Sequence, residues 1–93
     1  MGTISRTTRF KKDYKRETKL QYRLTLDADL IATVSLLAAD EPLPERYKDH
    51  SLTGQWKDHR DCHIKPDFVL IYRLPDPENL ELIRLGSHSE LSL

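Results

Sequence analysis

Apolar residues recur at helical spacing in the first half of the chain and at strand spacing in the second. Leu26, Leu30, Val34 and Leu37 fall on one face of a helix. Thr25 stands where its side chain can cap that helix, and Asp27 and Asp29 suit the positive end of its dipole. Glu41-Pro42-Leu43-Pro44 ends it, because proline lacks a backbone donor and restricts the residue before it. Upstream, Phe10 and Tyr14 share a narrow face among lysines and arginines, with Thr8 placed as the cap. Residues 3–8 are rich in β-branched side chains and read as a short strand.

In the second half, alternation from Trp56 to Ile64 sets Trp56, Asp58, Arg60, Cys62 and Ile64 on one side. Lys57, His59, Asp61 and His63 lie on the other, a wholly polar face. Lys65-Pro66-Asp67 is a turn signal, and Phe68 to Tyr72 is an apolar run expected of a central strand buried on both faces. Asp76-Pro77-Glu78-Asn79 makes the next turn, Leu80 to Leu85 the last strand, and Gly86 its end. The order predicts an α+β fold, β-α-α-β-β-β, with two N-terminal helices packed on a small antiparallel sheet. Residues 1–93 are expected to form one domain around a single core.

Charge changes this picture at one end. The chain is neutral overall, which counts weakly against a free-standing nucleic-acid binder. Residues 1–23, however, carry eight Lys and Arg against two acidic side chains, and residues 24–47 carry one against five. A basic first third can meet RNA backbone or an acidic partner; it can equally be a solvated helix face. No apolar run approaches membrane-spanning length, and no apolar core of a secretory signal opens the chain. The lone Cys62 forms no internal disulfide, which points to a reducing cytoplasm.

Three of the four histidines fall between positions 50 and 63, interleaved with Lys, Arg and Asp, and the fourth is His88. Cleaving RNA by its own 2′-hydroxyl needs a base for the hydroxyl proton, an acid for the leaving 5′-oxygen and cations for the phosphorane. His50, His63 and His88 can supply the proton transfers, with Asp67 as orienter or base, and Lys48, Lys57 and Arg60 can supply charge. A three-residue loop would pair His63 with Asp67 on one face; a two-residue loop would put them on opposite faces. His59 and His63 share a strand face, but no paired-ligand motif accompanies them, so the signal for a metal site is weak and no metal or other cofactor is expected. Trp56 fits a core position better than a base-stacking one, and no Gly-rich phosphate loop or Gly-x-Ser-x-Gly motif is present.

These residues also carry a resemblance. Pro42-Leu43-Pro44, then Tyr47-Lys48-Asp49-His50 with Leu52, Gly54 and Trp56, resemble a YafQ-type toxin of the RelE/ParE toxin–antitoxin superfamily. So do Arg60-Asp61-Cys62-His63-Ile64, Pro66-Asp67, Leu70-Ile71-Tyr72 and Gly86-Ser87-His88. The resemblance implies two helices against a small antiparallel sheet. It implies a cytoplasmic bacterial endoribonuclease, independent of metal, that cuts mRNA in the ribosomal A site and so inhibits translation. His50, His63, Asp67 and His88 correspond to the family's proton-transfer and positioning set, with Asp67 or His50 on the base side and His88 as acid. Lys48, Lys57, Arg60 and Asp61 would hold RNA, and Trp56 or Tyr47 would stack on a base. The partner implied is a small antitoxin of ribbon-helix-helix type, through which operator DNA would be bound. Relatives place an aromatic four residues beyond the last histidine; here that position is Ser92. The alternatives are a non-catalytic gyrase poison resembling ParE, and an inactive relative that only binds antitoxin.

Overall fold

A computed structural model describes residues 2–93. Strand β1 (Thr3–Arg6) leads into helix α1 (Thr8–Glu17) and then α2 (Leu26–Ala38). Strands β2 (His50–Ser51), β3 (Arg60–Lys65), β4 (Phe68–Asp76) and β5 (Asn79–Gly86) follow, with single 3-10 turns at Glu45–Tyr47 and Gly54–Trp56. The five strands form one sheet in the order β1-β5-β4-β3-β2. The pairings among β2, β3, β4 and β5 are antiparallel, but β1 runs parallel to β5, so the sheet is mixed rather than purely antiparallel.

The α+β class and the order of the long elements agree with the sequence pattern, while four local features differ. Thr7, not Thr8, caps α1, its side chain accepting from the Phe10 N–H at 3.0 Å. Thr25 occupies the cap of α2 without a side-chain hydrogen bond, because its backbone has already turned toward helix. The strand expected from Trp56 starts only at Arg60: residues 54–56 make a 3-10 turn and Asp58 takes a φ of 68°, which interrupts extension. The two-residue β2 is too short to leave a periodic signal.

The sheet is apolar on both sides. Phe68, Leu70, Tyr72, Leu80, Leu82 and Leu85 face the helices and pack with Phe10, Leu26, Leu30 and Leu37. On the opposite face Val69 and Ile71 are covered by Leu91 from the C-terminal tail, with Leu52, Trp56 and Ile83 around them. Continuous burial from Phe68 to Tyr72 follows from this double cover.

Two irregularities decide where side chains point. Ile71 pairs with Arg84 but Tyr72 with Leu82, so β5 carries Ile83 as an extra residue. That bulge lets Leu82 and Leu85 both face the helices while Arg84 turns to the other side. β3 carries a second extra residue between His63 and Lys65. Beyond the short β1, the outer edge of β5 is closed by side chains instead of a strand. Thr7 Oγ1 donates to the Ile83 carbonyl, the Leu85 N–H donates to Asp13, and Arg16 donates to the Leu85 carbonyl. Edge groups that would otherwise be open to another strand are thereby satisfied.

Candidate active site

The face opposite the helices holds the candidate side chains, and strand register places them. His50 pairs with Asp61 across β2 and β3, and His63 pairs with Val69 across β3 and β4. Paired residues share a face, so His50, Asp61 and His63 stand together. The β3–β4 loop is the two-residue Pro66-Asp67, since Lys65 pairs with Phe68. Asp67 therefore does not pair with His63 across the hairpin; it reaches His88 instead. Asp67 Oδ1 lies 2.6 Å from His88 Nδ1 and accepts from the His88 N–H at 3.2 Å. The His88 ring meets the His63 ring edge-on at 4.9 Å, and His63 lies 6.5 Å from His50. The result is a continuous line, Asp67–His88–His63–His50–Asp61.

Local structure sets the tautomer of His50. Lys48 takes a left-handed conformation (φ 48°, ψ 43°), turning its carbonyl to within 2.7 Å of His50 Nδ1. A carbonyl only accepts, so Nδ1 carries the proton and a neutral His50 keeps its lone pair on Nε2. The same Nδ1 is 3.0 Å from Asp61 Oδ1, which gains charge attraction when the ring is protonated. The carboxylate's angle does not make a hydrogen bond, and Oδ1 is buried with no hydrogen-bond partner among the described residues.

The two carboxylates respond in opposite ways. Burial pushes the Asp61 carboxyl above 3.8, against the pull of His50, His63 and His88. The exposed Asp67 is held below 3.8, chiefly by the side-chain hydrogen bond from His88, then by the His88 N–H and by the charges of His88 and His63. Burial drives the Cys62 thiol strongly upward, so it is no nucleophile.

The remaining residues singled out from sequence fall in different places. Lys48 and Lys57 are both exposed, each two residues before the histidine ring its carbonyl meets. Arg60 is on the helix side of β3, donating to both oxygens of Asp49 at 3.3 and 3.2 Å beside the Tyr72 hydroxyl; its charge is spent there. Asp61 is not on an open polar face as alternation suggested; at 2 % exposure it is a buried partner of His50, and its negative charge does not suit a phosphate contact. Tyr47, at 5 % exposure, belongs to the helix-side core and cannot stack on a base. Trp56 is half-buried against the Val69, Ile71 and Leu91 cluster. Ser92 adopts a left-handed φ of 59° just after Leu91, which is the tail's buried anchor. Among the described residues, no three His, Cys, Asp or Glu side chains are placed to hold one metal ion.

Sequence reasoning missed what seats His88. Leu91 docks into the sheet face, and Glu90 accepts from the Ser87 N–H at 3.0 Å while its other oxygen pairs with Arg16 at 3.2 Å. Arg16 belongs to a network with Asp13 and Glu17, both buried, and Asp13 also receives two hydrogen bonds from the nearly buried Arg84. Two acidic residues on the buried face of a basic helix were the available signal.

Known proteins share this fold. The family described as bacterial toxin of type II toxin–antitoxin system, YafQ, matches residues 2–93. The mRNA interferase toxin YafQ of Escherichia coli K12 is 37% identical over 90 residues, covering 95% of this chain and 97% of that one. The crystal structure of the E. coli DinJ-YafQ complex contains a chain that superposes with a TM-score of 0.84 at 37% identity, covering 98% of each. A copper-bound mutant toxin from Helicobacter pylori superposes with a TM-score of 0.84 at 39% identity, covering 98% of this chain and 99% of that one.

Proposed function

Because the chain belongs to the YafQ family of bacterial toxins of type II toxin–antitoxin systems, we propose that it is an endoribonuclease that cuts mRNA in the ribosomal A site. The observation that carries this reading is the line of three imidazoles between two carboxylates on one sheet face. Such a line offers a base and an acid on either side of a phosphate.

His50 is the general base. Its Nδ1 is held by the Lys48 carbonyl, which leaves Nε2 to take the proton of the ribose 2′-hydroxyl. The 2′-oxygen attacks the adjacent phosphorus, and the bond to the 5′-oxygen breaks. His88, protonated, donates its Nε2 proton to that oxygen, while its Nδ1–H stays on Asp67. The products are a 2′,3′-cyclic phosphate and a 5′-hydroxyl. Asp67, held below the ordinary carboxylate range, is a weaker base than a neutral imidazole, so it orients His88 rather than removing a proton. His63 sits between the two rings, where an imidazolium or a ring N–H can reach the phosphate. Lys48 and Lys57, both exposed, add positive charge. No step as written uses a metal.

The E. coli relative forms a complex with DinJ. By analogy this chain has its own antitoxin, of ribbon-helix-helix type, which neutralises it in the cytoplasm and contacts operator DNA for the pair. The test is expression in cells with mapping of 5′-hydroxyl mRNA ends. His88→Ala and His63→Ala should each lower cleavage by about two to four orders of magnitude and relieve growth arrest while folding is retained. If both variants remain as toxic as wild type, the reading is wrong.

A further inference from the structure

The tripeptide Lys-Asp-His occurs twice, at residues 48–50 and 57–59. Both copies make the same contact at the histidine: Lys48 O meets His50 Nδ1 at 2.7 Å, and Lys57 O meets His59 Nδ1 at 2.9 Å. Each contains one residue forced to positive φ, Lys48 at 48° and Asp58 at 68°. Asp visits that region more readily than Lys, so it is the first turn that is held chiefly by its surroundings. The first copy delivers a ring to the cleavage line. The mechanism leaves the second unused.

His59 is oriented from two sides. Its Nδ1 is anchored by the Lys57 carbonyl, and its ring meets Trp56 at 5.5 Å and 74°, with Trp56 itself packed on the sheet. The β2–β3 ladder continues to it, since the Leu52 N–H donates to the His59 carbonyl at 2.9 Å. It therefore precedes Asp61 by two positions on the same face, about 7 Å along the strand. The ring is half-buried, and Lys57 beside it is exposed. A planar ring with one fixed nitrogen, one free nitrogen and a neighbouring ammonium suits a nucleobase and its phosphate.

We propose that His59, with Lys57, holds a nucleotide flanking the scissile bond and so sets which mRNA positions are cut. This rests on the reading of the chain as an mRNA endoribonuclease. The ring forms a stacking surface for the base, its Nε2 reads a base edge, and Lys57 neutralises the adjacent phosphate. His59 is thus a specificity-determining residue on the same face as the proton-transfer set, outside the chemistry itself.

The test is mapping of 5′-hydroxyl mRNA ends in cells expressing the full chain or its variants, with cleavage rates from the time course. His59→Ala should lower cleavage by about fivefold or more and redistribute the flanking nucleotides at cut sites. His59→Phe should restore most of the rate, because a ring stacks without the Lys57 anchor, yet leave the redistribution, because it has no Nε2. Lys57→Ala should lower the rate without changing the distribution. Should His59→Ala fail to fold, judged by the thermal unfolding of Trp56 fluorescence, His59→Gln gives the same comparison with a polar group still able to reach the Lys57 carbonyl. An unchanged cut-site distribution and rate in His59→Ala overturns the proposal. So does His59→Phe behaving as badly as His59→Ala, which would make the ring a loop anchor only. If the wild-type chain itself yields no 5′-hydroxyl ends, the endoribonuclease reading fails first, and the two failures are distinct.

Discussion

Asp13 offers the sharpest test of what holds the tail and the edge of the sheet. Its carboxylate is 4 % exposed and takes hydrogen bonds from Arg84 at 2.7 and 3.2 Å, from the Leu85 N–H at 3.0 Å and from Arg16 at 3.0 Å. Asp13→Ala strands the Arg84 guanidinium, itself 9 % exposed, and leaves an edge N–H of β5 without its acceptor. Removing one partner of a buried pair costs about 3–5 kcal/mol. For a domain of this size, with roughly 5–15 kcal/mol in total, that is a large share. Urea unfolding followed by the fluorescence of Trp56, the only tryptophan, measures it directly. Asp13→Ala combined with Arg84→Met removes both charges, and most of the loss should return. Acid titration adds a second check. Burial pushes the Asp13 carboxyl up, but the hydrogen bonds from Arg84 and Leu85 and the charges of Arg84 and Arg16 outweigh it, so its folded value lies below 3.8. A group depressed on folding contributes stability above about pH 3.8, lost as pH falls through the folded value. The wild-type chain should therefore lose stability with acid more steeply than the double variant. A single-variant loss below about 1 kcal/mol, or no recovery in the double variant, would refute the account of a stranded charge.

Asp61 should behave in the opposite sense. Its folded value is raised by burial, so its contribution is greatest below 3.8 and is lost as pH rises through the folded value. Asp61→Asn should then be at least as stable as wild type at neutral pH, with the difference closing in acid, while cleavage falls because His50 loses its charge partner; equilibrium unfolding at two pH values measures the first and 5′-hydroxyl mapping the second. Leu91→Ala should cost about 2–5 kcal/mol and lower cleavage further than the instability explains, since Leu91 anchors the tail that carries His88; unfolding and cleavage measured on the same variant separate the two effects. Arg60→Ala should reduce stability without changing the salt dependence of RNA binding, because Arg60 is committed to Asp49 on the helix side.

Much of this molecule is written in local pattern. The spacing of Leu26, Leu30 and Leu37 specifies α2, and Phe68 to Tyr72 specifies a central strand, because burial of one stripe or of both faces repeats at the period of the element. Turn residues mark the hairpins, and the histidines stand among acidic and basic neighbours of the types that proton transfer near phosphate needs. The partners of those groups were not legible. One residue of register exchanges the faces of a strand, and the bulges at His63/Lys65 and at Ile83 each move a register by one. Local composition is silent on such a shift.

Chain chemistry alone therefore indicates the fold class, the order of the long elements and the residue types from which a site could be built, since these follow from local geometry. Tertiary packing decides that Asp67 serves His88 rather than His63, that Asp61 is buried beside His50, and that Arg60 and Tyr47 face the helix-side core. It also decides that the tail is seated by Leu91 and Glu90 over the sheet. Those outcomes depend on contacts between segments far apart in the chain. Their energies come from burial and charge pairing that no single segment contains.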